Sequence, residues 1–154
     1  MSDVQTVEKP SKQASGTGRR IGYVVAIIIN AALLYLINAR PGWQTWDVLT
    51  ADFLTVLWII NLSLSLSLIA NALYLVYDAP WFRAMCELVL AVVSLIVAVR
   101  VYQVFPFDFT AFAYAWTVLA RVILVIAMFG SAIAIIVQFV NLIRAAVRIG
   151  AAST

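Results

Sequence analysis

From Phe53 to Tyr77 the chain runs for 25 residues without a charged side chain. A helix built from that run has no charged face to offer to water. A hydrocarbon core about 30 Å thick is crossed by about 20 such residues. Three more runs fit the same reading. Ile21–Ala39 is uncharged for 19 residues, and Val122–Ile143 is uncharged for 22, between Arg121 and Arg144. Trp81–Phe105 is apolar but interrupted by Arg83, Glu87 and Arg100. Pro41, Pro80 and Pro106 fall in the connections, where a helix-breaking residue belongs. Transmembrane strands would show alternating segments of about 10 residues, and these runs are longer and uniformly apolar. Composition agrees: 65% hydrophobic and 11% charged, against about 45–50% and about 25% in soluble domains.

The fold expected is therefore an all-α integral membrane protein, a four-transmembrane-helix bundle with helices over 21–39, 53–77, 81–105 and 112–149. Residues 1–20 are rich in Ser, Thr, Gln, Lys and Gly and read as a disordered tail; 150–154 form a short C-terminal tail. Nothing breaks the fourth helix between Phe112 and Ile149, a length of roughly 57 Å, so it extends past the bilayer. Its cytoplasmic part alternates Val140, Ile143 and Val147 with Asn141, Arg144 and Arg148, the pattern of a helix that lies along headgroups, the reading preferred here, or continues as a helical stalk.

Lys and Arg in short flanks stay cytoplasmic. The tails carry Lys9, Lys12, Arg19, Arg20, Arg144 and Arg148, whereas the other connections hold Arg40 with Asp47 and Asp52, and Asp108 alone. Both termini are expected in the cytoplasm, with the plasma (inner) membrane as the location. Arg19-Arg20 reads as a positive-inside anchor, not as the start of a cleaved signal. Tyr35, Trp43, Trp46, Tyr114 and Trp116 mark the outer interface; Tyr74, Tyr77 and Trp81 mark the cytoplasmic turn.

Small and polar residues decide which helix faces meet in lipid. In the fourth helix Ala113, Ala120, Ala127 and Ala134 recur every seven residues, continued by Asn141, with Gly130, Ser131 and Gln138 on the same side. That spacing predicts a left-handed packing seam. The second helix carries Ser63, Ser67, Asn71, Tyr74 and Asp78 as one polar stripe, and the third carries Arg83, Glu87, Ala91, Ser94 and Ala98. The first offers Gly22, Ala26 and Asn30. Asn30, Asn61 and Asn71 are expected to bond between helices.

Charge inside a membrane is the first place to look for function. Glu87 is the leading residue: only 12 residues separate it from Arg100, about 18 Å of helix, which cannot cross the core. With Ser67, Asn71 and Asp78 it would make a proton or cation site; with Arg83, one turn away, it is a local ion pair, the reading preferred here. A second cluster, Arg100, Arg121, Asp108, Asp52 and Asp47, is expected on the outer side. It locks the hairpins together or binds an anionic lipid headgroup. Cys86 reads as an inert thiol.

The chain has no histidine, one cysteine and two lysines, both near the N-terminus. No histidine-bound metal, haem, intrachain disulfide or Ser-His-Asp triad can be assembled from it. No cofactor and no nucleic-acid partner is expected. The reading is a non-enzymatic membrane protein, an accessory subunit, scaffold or assembly factor that works through helix contacts with other membrane proteins. The alternative is an oligomeric ion or proton channel, or small transporter, with Glu87 facing the path.

Overall fold

The computed structural model describes residues 16–111 and 114–152. Its elements are α1 (Gly16–Asn38), a 3-10 turn (Trp43–Thr45), α2 (Phe53–Val76), α3 (Pro80–Val104) and α4 (Ala115–Ala152), with no strands among the described residues. All four helices are long and apolar enough to cross a membrane. They pack in chain order, α1 on α2, α2 on α3 and α3 on α4, most extensively within the two hairpins α1–α2 and α3–α4. Among the described residues α1 and α4 do not meet, so the bundle is open. One end carries the start of α1, the α2–α3 turn and the last turns of α4, and is here the tail end. The loop end carries 39–52 and 105–111.

The tail-end turn is set by Pro80. The proline ring holds the preceding residue extended, and Ala79 sits at φ −82°, ψ 135°. Pro80 then opens α3 at a position where its missing N–H has no partner to lose. Tyr77, also extended, closes α2 through its N–H to the Leu73 carbonyl at 2.7 Å.

At the loop end the two hairpins are stitched backbone to backbone. Leu49 and Phe107 form an antiparallel bridge, in which the Thr50 N–H donates to the Pro106 carbonyl at 3.0 Å and the Asp108 N–H to the Val48 carbonyl at 2.8 Å. Gly42 supports the first loop at φ 82°, a conformation open to glycine, and a Cβ there would lie 2.9 Å from the Gln44 side chain. Beneath the stitch lies the tightest packing, Phe53, Val56 and Ile59 of α2 against Val101 of α3. Leu49 and Trp43 of the first loop are among the residues packed against it, Trp43 with its ring centroid 5.7 Å from that of Phe53.

The helix ends depart from the sequence reading in informative places. Helix α1 begins at Gly16, so Gly16–Arg20 are helical and not part of a disordered tail; the extra turn carries Arg19 to an acidic partner described below. Residues 1–15 lie outside the described residues, as do Phe112 and Ala113. Helix α4 begins at Ala115 and continues to Ala152, 38 residues or roughly 57 Å.

Candidate functional site

A network of side-chain bonds forms at the tail end, and its hub is Asp78 in the α2–α3 turn. Arg83 Nη1 donates to Asp78 Oδ1 at 3.3 Å, the Tyr23 hydroxyl donates to the same oxygen at 3.2 Å, and Arg19 Nη2 lies 3.3 Å from Oδ2. One carboxylate thus ties α1, the turn and α3 together. Its place just before the first turn of α3 also suits an anion, because the helix dipole is positive there. The ring of Tyr74, nearly buried, packs under this knot against Tyr23 and Phe82, with centroids 5.3 and 6.3 Å away.

Glu87 pairs with Arg83, Nε to Oε1 at 3.7 Å, and accepts a hydrogen bond from Gln138 of α4 on Oε2. Asn141 Nδ2 in turn donates to Gln138 Oε1 at 3.2 Å. The structure therefore joins Asp78, Arg83, Glu87, Gln138 and Asn141 in one chain of bonds. Ser67 and Asn71 are not drawn to Glu87: Asn71 Nδ2 donates to the Ser67 backbone carbonyl in its own helix at 2.7 Å. Asn30 does the same with the Ala26 carbonyl, also at 2.7 Å. Both amides satisfy themselves locally, so neither bonds between helices as expected.

The interhelical amide pair is Asn61 with Asn38. Each Nδ2 donates to the other's Oδ1 at 2.8 Å, joining α1 to α2. Asn38 lies inside the helix expected over 21–39, two further steps of four along the series Gly22, Ala26 and Asn30. Interhelical bonds in membrane proteins contribute roughly 0.6 kcal/mol on average and up to about 1.7. Asn61→Leu is expected to lower stability by about 1 kcal/mol, with Asn38→Leu adding little to it. A double-mutant cycle on thermal unfolding measures that coupling.

No ion pair joins Arg100, Arg121, Asp108, Asp52 and Asp47 among the described residues, so the outer charged cluster does not form. Arg121 instead lies over the aromatic faces of Phe105 and Tyr102, 4.3 and 5.5 Å from their centroids. A ring face attracts a guanidinium, and here it holds Phe105, which ends α3 at φ 44°, a rare angle for a side-chain-bearing residue. Asp108 turns back on its own loop and accepts the Thr110 N–H at 2.8 Å. Bonds from the Thr110 side chain and backbone hold its carboxyl below the usual 3.8. The loop is then fully supported above pH 3.8 and loses that support as pH falls through the lowered value. Asp108→Asn is expected to remove this acid step from a pH titration of loop-end proteolysis.

The alanine series of α4 also sits differently from its reading. The half-buried residues of α4 include Thr117, Leu124, Ser131, Gln138 and Ala145 at seven-residue steps, with Met128, Ile135 and Leu142 between them. Ala120 and Ala134 flank that face, while Ala127, Gly130 and Asn141 are exposed; Ala113 lies outside the described residues. The Glu87–Gln138 bond and the Arg121–Phe105 contact set the rotation, one at each end of the α3–α4 hairpin. The seven-residue alanine seam that is buried belongs to α3: Ala84, Ala91 and Ala98. Ala91→Leu is expected to cost about 1–3 kcal/mol by overpacking, read as a fall in melting temperature.

No protein-family model, curated protein or solved structure matches the chain.

Proposed function

We propose that this is a four-crossing protein of the plasma membrane with both termini cytoplasmic, and that it acts without catalysis, as an accessory subunit, scaffold or assembly factor. The observation that carries this reading is α4. Among the described residues it packs on α3 alone and leaves Ala127, Gly130 and Asn141 uncovered along a helix of 38 residues. A Cβ built at Gly130 meets nothing within 4 Å, and small residues of this kind let a second helix approach closely in lipid. The occupant proposed is a transmembrane helix of another membrane protein. Against a conducting role stands the bonding of Glu87, with Arg83 and Gln138 both on its carboxylate; an ion would have to displace one of them.

A photo-crosslinking residue placed at Ala127 or Gly130 is expected to capture a different polypeptide in native membranes, and one at exposed Ile28 of α1 is not. Adducts between copies of the chain would favour the oligomeric channel, and adducts with lipid alone would remove the docking claim. Ala127→Leu is expected to dissociate the complex while leaving the melting of the isolated chain unchanged. For topology, cysteines at Gln44 and Thr110 should label from the outside of intact cells. Labelling from the cytoplasmic side only would reverse the orientation.

A further inference from the structure

We infer that the cleft between the start of α3 and the last turns of α4 binds the phosphate group of an anionic phospholipid. The inference rests on the membrane-crossing reading above. The cleft has a volume of about 450 Å³ and is lined by Arg83, Arg144 and Arg148, with Trp81 and Asn141 beside them and Glu87 as its one acid. That volume lies in the range of pockets that hold small organic ligands, about 300–1,000 Å³.

Charge in the cleft is unbalanced. Glu87 is already engaged by Arg83 and Gln138, and Arg83 is matched by Asp78 and Glu87. Arg144 and Arg148, four residues apart on one face of α4, have no acidic partner among the described residues. Guanidinium groups converging on one space match the oxygens of a phosphate. The cleft also sits where a headgroup would be, at the end of both spans. From it, exposed apolar rows lead toward the middle of the helices, Trp81, Met85 and Val89 on α3 and Val137 on α4. Those rows give acyl chains a surface that a soluble phosphate would not use.

The test is the binding of dioleoylphosphatidylglycerol to the purified full chain in neutral detergent, measured as the shift in melting temperature and as lipid retained in native mass spectra. Phosphatidylcholine and inorganic phosphate at matched ionic strength are the comparison arms. Phosphatidylglycerol is expected to stabilise the wild type where the other two do not. Arg144→Gln with Arg148→Gln should weaken its binding by about five-fold per arginine, roughly thirty-fold together. Ala145→Phe, which narrows the cleft without changing charge, should weaken it as well. Arg40→Gln with Arg100→Gln at the loop end should not. Equal weakening by the loop-end pair, or full binding in Ala145→Phe, would mean diffuse attraction to anionic surface and would overturn the site. An equal shift with inorganic phosphate would assign the cleft to a soluble anion and overturn the lipid. A chain that is washed from membranes by alkaline carbonate would defeat the membrane reading itself; one that stays inserted yet retains no phosphatidylglycerol would defeat this inference alone.

Discussion

Truncating Phe53 to alanine is expected to cost about 3–5 kcal/mol, the range for removing a buried ring. Phe53 is 6% exposed at the start of α2 and belongs to one buried cluster with Val56, Ile59 and Val101, while its ring packs on Trp43. No other place in the described residues brings α2, α3 and the first loop into one close-packed unit, and the Leu49–Phe107 bridge lies over it. The cost arises from lost packing contacts and a void, so it persists in lipid, where burial away from water drives little. Phe53→Leu should retain most of the stability. Reversible unfolding in mixed micelles measures both, and a loss under about 1 kcal/mol for Phe53→Ala would show that the loop-end cluster does not join the hairpins.

The second large effect is expected at Asp78, and it should exceed that at Glu87. Asp78→Asn removes the charge that holds Arg19, Arg83 and the Tyr23 hydroxyl. Hydrogen bonds to charged groups contribute about 1.5–3 kcal/mol each when shielded, and much less when exposed. With 31% of its side chain exposed, a cost of about 1–2 kcal/mol is expected for the set. Glu87→Gln should cost under about 1 kcal/mol, because Arg83 keeps Asp78 and the Gln138 amide still finds a carbonyl oxygen at position 87. The order of the two losses in thermal unfolding is the check. If Glu87→Gln is the more costly, the ion pair and not the turn is the centre of the tail-end network.

Helix number was legible because it depends on run length and charge alone, both of which the linear order displays. Helix rotation was less so. Alanines repeat every seven residues on α3 and on α4 alike, and periodicity does not say which series a neighbour covers. The deciding contacts, Gln138 on Glu87 and Arg121 over Phe105, join residues that are far apart in the chain. Charges were located but not partnered. Arg83 and Glu87, one turn apart, were readable as a pair; Arg19 with Asp78 required knowing that α1 begins at Gly16. At the loop end the acids and arginines share a side without meeting, since aromatic faces and local turns satisfied Arg121 and Asp108 first. The amides show the same competition, with Asn30 and Asn71 bonding their own helix and only Asn61 reaching across.

This chain is proposed to work by docking another membrane protein on α4, with the paired charges Asp78, Arg83 and Glu87 serving structure. The most direct test is the native mass of the protein extracted in lipid nanodiscs from its own membrane, followed by an ion-flux assay on the same particles reconstituted into liposomes. The account predicts one chain bound to a different polypeptide, release of that polypeptide by Ala127→Leu, and no pH-dependent flux in wild type or Glu87→Gln. A symmetric ring of this chain alone, with a flux that Glu87→Gln abolishes, would contradict it.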